Sequence, residues 1–309
     1  MEIKEIDYEN FGKCVLLTNG VIDVVVTVDF GPRMIRFGFC EKENLLYQDE
    51  GRVHSILCED EGDEIDPDEM FYYYGGHRLW LSTERSPKTV LPDNEPVVYS
   101  ILPDSVRFSA PKQKGTSFQT GFEVFMGEDA ADIMVVHTAK NTAKESQPCG
   151  LWPITMLDGD GMVVLPQNSD VSDQYRPNRS IVLWPGTEIQ DERLFIGRRF
   201  LTIRKSSADD KPFRIGCNNI LGWAAFVGPR YTFIKRYVHN VQAVYPDFGS
   251  SCEVGCQKDF TEIQSMSPMY HVEPGQEIKH VENLSVYNTS NCIDPKDEDG
   301  ILKYFENLK

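Results

Sequence analysis

Two segments far apart in the chain gather side chains suited to bind and act on a polar ligand. The first is Gly75-Gly76-His77-Arg78-Leu79-Trp80, running on through Glu84 and Pro87 to Pro92-Asp93-Asn94-Glu95-Pro96-Val97. The second is Thr261-Glu262-Ile263-Gln264-Ser265-Met266-Ser267-Pro268, followed by Glu273-Pro274-Gly275. His77 carries an imidazole that titrates near neutrality, which suits a general acid or base. Arg78 offers a planar fork of donors to vicinal hydroxyls or a carboxylate. Trp80 has an apolar face with a polar rim, suited to stacking on a sugar. Glu262 lies among apolar neighbours, where a carboxylate is costly unless it is paired or opens into a cleft, and partial burial would raise its pKa toward that of a working base. If the fold joins the segments, they form a site with His77 as acid and Glu262 as base. The plainer alternatives are a structural turn at the glycines, with Trp80 in the core, and a strand that sends Glu262 to solvent.

The elements that must position these groups are mostly strands. Cys14–Thr18 and Val21–Val28 flank Asn19-Gly20, a strong hairpin signal. β-rich runs follow at Met34–Phe39, Val97–Leu102, Ser105–Ser109, Phe118–Phe125, Asp132–Thr138 and Met162–Leu165. More occur at Phe200–Arg204, Gly222–Val227, Tyr231–Tyr237, Phe260–Met266 and Val281–Tyr287. In Tyr231–Tyr237 the alternation puts Tyr231, Phe233 and Tyr237 on one face. Short strands separated by Gly, Pro, Asn and Asp turns predict an all-β, antiparallel sandwich or barrel. Helix signals are few. The best is the C-terminus, where Ile301, Leu302, Phe305 and Leu308 form an apolar stripe after an acidic start, the pattern of a packing helix. No linker, repeat or low-complexity boundary divides the 309 residues, so a single domain over residues 1–309 is expected.

Composition narrows the partners. With 31 Lys and Arg against 48 Asp and Glu, the formal net charge is −17. That disfavours nucleic acid, whose phosphates call for clustered cations, and an anionic membrane surface. The start of the chain lacks the apolar stretch of a signal peptide, and no run is long enough to cross a bilayer. The 8 cysteines are scattered and read as reduced thiols of a cytoplasmic protein. Cys252 and Cys256 lie four apart without a second ligand pair, a poor metal pattern. The acidic Gly51–Met70 stretch lacks EF-hand spacing and reads as a solvated loop. His137, in the apolar run Ile133-Met134-Val135-Val136-His137, fits a structural histidine, and His54, His239, His271 and His280 have no supporting context. No Gly-rich phosphate loop, nucleophile elbow or zinc-type histidine pair occurs.

The Gly75–Trp80 segment with Pro92-Asp93-Asn94, and the Thr261–Pro268 segment with Pro274-Gly275, resemble the galactose mutarotase-like superfamily, in a branch related to the aldose 1-epimerases. The resemblance covers residues 15–290. It implies an antiparallel supersandwich with few short helices, and a cleft for a small-molecule or oligosaccharide carbohydrate. It also implies an anomer-interconverting isomerase without cofactor or metal. In that family a late glutamate removes the anomeric proton and a histidine protonates the ring oxygen, which opens the ring. By resemblance Glu262 is that base. Arg78, Trp80, Glu84, Asn94, His137 and Trp152 would bind substrate.

The family's acid falls in a His-Pro-Tyr-Phe-Asn-Leu element after a strand and an asparagine. Here Asn141 is followed by Trp152-Pro153-Ile154-Thr155-Met156-Leu157. Indole cannot deliver a proton, so the acid falls to His77 or His137. Otherwise the chain is a non-catalytic carbohydrate-binding module. A lyase or hydrolase relative would need a second acid that the sequence does not show. The fold does not choose among these chemistries.

Overall fold

The computed structural model describes residues 1–58, 65, 68–82, 91–112, 115–289 and 293–308. Among them the architecture is the antiparallel β-sandwich that the alternation calls for. An 11-stranded sheet runs in the order Glu2–Asp7, Lys13–Thr18, Ile22–Thr27, Met34–Phe39, His77–Ser82, Gln147–Asp158, Phe260–Ser265, Cys252–Cys256, Phe213–Cys217 and Ile181–Leu183, with Tyr270–Val272 on a further stretch of Gln147–Asp158. A 10-stranded sheet runs Leu194–Ile196, Phe200–Lys205, Gly161–Pro166, Trp223–Val227, Tyr231–Tyr237, Glu277–Asn288, Asp132–Asn141, Phe118–Met126, Ser105–Ser109 and Val98–Ile101. A small hairpin pairs Ser55–Leu57 with Met70–Tyr72, so part of the acidic stretch expected as loop is strand.

The sheets bury their facing sides against each other. Val24, Phe37 and Ile215 from the first meet Phe122, Phe226 and Phe233 from the second in one apolar core. Each such side chain contributes roughly 1.5–3 kcal/mol when fully buried. Asn19-Gly20 does turn a hairpin. The Asn19 side chain accepts from the Val21 and Ile22 amides, and Gly20 takes φ 83°. At the C-terminus, Glu298–Glu306 is a helix whose Gly300 amide donates to the Asp297 side chain; Ile301 is buried, but Leu302 faces out.

Four strands that build the site, His77–Ser82, Gln147–Asp158, Phe213–Cys217 and Cys252–Cys256, were not expected as strands, and the first two show why. His77–Ser82 follows glycines that read as a turn. They do turn the chain, with φ 87° at Gly75 and 78° at Gly76. A Cβ would lie 2.1 Å from the Tyr47 carbonyl oxygen at Gly75 and 2.2 Å from that of Met34 at Gly76. Their close approach is therefore to backbone, not to a ligand. The second strand, Gln147–Asp158, contains Pro153, which a central strand ordinarily excludes. It fits because the neighbouring ladder is interrupted there. Residues Ile154–Asp158 pair with Phe260–Gln264, whereas Gln147–Cys149 pair with Tyr270–Val272.

Candidate functional site

Pleating sends alternate residues of each strand to opposite faces, and registered partners share a face. On the outer face of the first sheet, one row runs Arg78, Ile154, Gln264 and Glu253 across four strands. The next runs Met156, Glu262, Gly255 and Arg214. Trp80 stands opposite Trp152 in the row on the other side of the Arg78 row. Tyr73, His54 and Phe260 rise beside these rows, with ring centroids 5.6–6.2 Å apart. Together they enclose a cavity of about 350 Å³ whose walls include Arg78, Trp80, Glu262, Gln264, Arg214 and Tyr73. That size lies within the ordinary range for small-ligand pockets.

Glu262 is half-buried on the floor of this cleft. Gln264 Nε2 donates to its Oε2 at 2.8 Å. Burial raises the Glu262 pKa, and the Arg214 and Arg78 guanidiniums partly oppose the rise. Gly255 makes room for the carboxylate, since a Cβ there would lie 2.9 Å from Glu262 Oε2. Gln264 Oε1 accepts from Trp152 Nε1 at 2.7 Å and from Arg214 Nη2 at 2.8 Å. One amide therefore holds the indole, the guanidinium and the carboxylate in fixed relation. Arg214 also reaches Glu253 Oε2 at 3.2 Å.

Arg78 is 5% exposed. Its Cζ stacks 3.7 Å from the Trp80 ring centroid and 4.4 Å from that of Phe71. Burial pushes its pKa down, and the nearby Arg33 charge adds to the effect. His54 Nε2 lies 3.1 Å from Asp259 Oδ2. The Val53 and His54 amides donate to the two oxygens of Asp49, at 2.9 and 2.8 Å, which fixes the approach of the chain to His54.

The structure thus brings Arg78, Trp80 and Glu262 to one cleft, with Trp152 beside it. It puts the other candidates elsewhere. His77 is fully buried on the inner face of its strand, where Nδ1 meets Thr155 Oγ1 at 2.9 Å and Nε2 lies 3.1 Å from His137 Nε2. The expected pairing of His77 with Glu262 across one cleft is therefore not made. The cause is strand parity, which gives Arg78 to the cleft and His77 to the core. His137 shares this interior position and is not open to a cleft ligand. Asn94 ties down its own loop, donating to Glu69 Oε1 at 2.6 Å and the Met70 carbonyl at 2.9 Å and accepting from Tyr74. Glu84 and Cys292 lie outside the described residues. The other seven cysteines are unpaired thiols.

His77 and His137 belong to a polar seam between the sheets. Glu282 is its centre. Lys235 Nζ is 2.9 Å from Oε1, Ser265 Oγ donates to Oε1 at 2.6 Å, and His137 Nε2 is 3.1 Å from Oε2. Ser265 Oγ also contacts His280 Nε2 at 2.7 Å. Burial opposes ionisation of Glu282, but Lys235, then His137 and His77, hold its pKa well below the usual carboxylate range. Burial lowers the pKa of His77 and His137, and brings that of His280 down to about 4. The ligand atoms of His77, His137 and Glu282 lie within 4.8 Å of one another, close enough to hold a metal. The Lys235 ammonium on the same carboxylate already supplies the counter-charge, so we read the group as an ion network.

The sequence reasoning missed His54, Tyr73 and Arg214. The first two come from loops and the third from a strand distant in sequence, and none has a local signal. The seam did have one. Lys235 shares the parity of Tyr231, Phe233 and Tyr237, and a lysine on that apolar face needs a buried partner.

No protein-family model matches the chain, and no curated protein is similar to it in sequence. Solved structures do match. A galactose mutarotase-like protein from Lactobacillus casei is 11% identical, with 89% of this chain and 100% of that chain covered and a TM-score of 0.54. A candidate aldose 1-epimerase from Klebsiella pneumoniae is 9% identical, with 90% and 80% covered and a TM-score of 0.56. A TPR-domain containing protein from Parabacteroides distasonis is 15% identical, with a TM-score of 0.58; 92% of this chain is covered but only 48% of that one. These likenesses are of fold alone: the chain shares the large antiparallel sandwich of the galactose mutarotase-like protein. No helix among the described residues is long and apolar enough to cross a membrane.

Proposed function

We propose that the outer-face cleft binds a carbohydrate and that the protein interconverts sugar anomers with Glu262 as base. The observation that carries this reading is the Glu262 carboxylate, half-open to a cleft, raised in pKa by burial, and flanked by aromatic rings and guanidinium donors. Trp80 offers a stacking face, while Arg78 and Arg214 offer donors to hydroxyl oxygens. Glu262 takes the proton from the anomeric hydroxyl. The ring oxygen needs a proton from an acid, and the interior position of His77 argues against it. His54, the imidazole on the cleft wall, suits that role. Resemblance in fold to aldose 1-epimerase-like proteins supports the class of ligand.

The test is NMR exchange between anomers across a panel of aldoses. Wild type should exceed buffer for at least one sugar, and Glu262→Gln should lose about 10²–10⁴-fold of that rate, the usual worth of a general base. Exchange equal to buffer for every sugar would overturn the isomerase reading.

One observation favours a second reading, binding without turnover. Trp152 stands where the resembling family carries its acid, and its Nε1 is engaged with Gln264. Glycan binding that is lost with Trp152→Ala, in a protein without exchange activity, would establish that reading instead.

A further inference from the structure

Arg33 and Arg78 are both buried guanidiniums near Phe71, at 5.6 and 4.4 Å from its ring centroid. Their partners differ. Arg33 holds Asp93 in a bidentate pair, with 2.8 Å to each oxygen, and donates to the Tyr72 and Tyr73 carbonyls. Arg78 has aromatic rings to stack on and, among the described residues, no hydrogen-bond acceptor. Yet it is nine-tenths buried and lines the cleft. A largely buried guanidinium without an acceptor carries a cost, because its N–H groups have lost part of their water and gained no partner. An acceptor from the ligand would remove that cost.

We infer that the natural ligand is an acidic sugar of the hexuronate type, whose carboxylate takes at Arg78 the place that Asp93 takes at Arg33. This rests on the carbohydrate reading of the cleft and adds its charge class. A single carboxylate fits better than a phosphate dianion. Arg214 spends Nη2 on Glu253 and Gln264, with its Nε left without a partner, whereas Arg78 presents a whole fork to one pair of coplanar oxygens. Glu262 shares the cleft and would repel a second negative charge. The position of the carboxylate follows as well. The strands of Arg78 and Glu262 are separated by Gln147–Asp158, so their backbones stand roughly 10 Å apart at two strand spacings. In a hexuronate the carboxylate on C5 and the anomeric hydroxyl on C1 flank the ring oxygen, so long side chains from these two strands would meet neighbouring edges of one ring. The chain as a whole carries −17, which works against anion capture at long range, so selection falls to this local contact.

The experiment compares, by titration calorimetry on the full chain, glucuronate and galacturonate with their uronamides, with glucose and galactose, and with the 6-phosphates of both. A uronate should bind at least about tenfold tighter than its uronamide, a neutral analogue of nearly the same shape. Arg78→Gln should abolish that difference, and Arg78→Lys should keep only part of it. Should Arg78→Gln fail to fold, the uronate–uronamide ratio on wild type still decides. Neutral sugars binding as tightly as uronates, or phosphates binding more tightly, would overturn this inference and leave the carbohydrate reading standing. No binding of any sugar would overturn both.

Discussion

His77 and Arg78 are consecutive residues that face opposite sides of one sheet: His77 meets His137 in the interior, and Arg78 stacks on Trp80 in the cleft. The single peptide step between them separates two polar systems. One lines the outer-face cleft, and the other lies between the two sheets. Substitutions at these neighbours should therefore fail in different assays.

His77→Gln should first lower the thermal midpoint, because it disturbs a sealed network. His54→Gln should leave the midpoint nearly unchanged and reduce anomer exchange. Thermal melts beside exchange rates for both variants check the pair. An exchange loss for His77→Gln at unchanged stability would return the acid role to His77.

On the isomerase reading, the cleft carboxylate should set the pH response of exchange. Burial raises the Glu262 pKa above the ordinary glutamate value, and a general base must be ionised. Exchange should therefore fall as pH falls, beginning above the ordinary carboxylate range. Arg214 and Arg78 hold the pKa down, so Arg214→Gln should move this limb to higher pH. A limb that stays in place would show that Arg214 does not act on the base.

The seam predicts a large stability effect. Glu282→Ala leaves the Lys235 ammonium buried without its carboxylate, and breaking one side of such a pair costs about 3–5 kcal/mol. The double variant Lys235→Met with Glu282→Leu should recover much of that loss, since an apolar pair strands no charge. Urea unfolding of wild type, single and double variants measures the coupling.

Stability should also decline on mild acidification. His77, His137 and His280 are held neutral in the fold with lowered pKa values, that of His280 at about 4. Below the ordinary histidine pKa, near 6.5, the unfolded chain binds protons that the folded chain refuses. The unfolded state then carries more protons, so stability falls as pH drops through that window. Lower still, Glu282 acts in the same direction, because its proton is taken up far more readily in the unfolded chain. Urea midpoints measured at steps between pH 7 and 5 should decrease steadily. A flat profile would mean that the three imidazoles take up protons within the fold.

Much of the fold was legible because period-two alternation is a local property. Met34–Phe39, Ser105–Ser109 and Tyr231–Tyr237 appear with the expected bounds. Among the strands that escaped, His77–Ser82 follows two glycines and Gln147–Asp158 contains Pro153, while Phe213–Cys217 and Cys252–Cys256 are only five residues each. Their loss obscured the site. With His77–Ser82 read as a strand, parity alone separates His77, Leu79 and Leu81 from Arg78 and Trp80. The same parity groups Phe260, Glu262 and Gln264. His54 and Arg214 were out of reach, because they join the cleft only through contacts distant in sequence.

The polar seam has a consequence for assembly of the sandwich. Two smooth apolar sheets can be stacked in several nearly equivalent ways, since greasy contacts are nondirectional. Lys235 and Glu282 from one sheet must meet the Pro153 carbonyl, Ser265 and His77 of the other. Sliding either layer by one strand spacing, about 4.8 Å, would maroon the ammonium and the carboxylate in hydrocarbon. The buried charges therefore work as a key in a keyway, and because Pro153 lies next to Trp152, that key also sets where the rim of the cleft comes to rest.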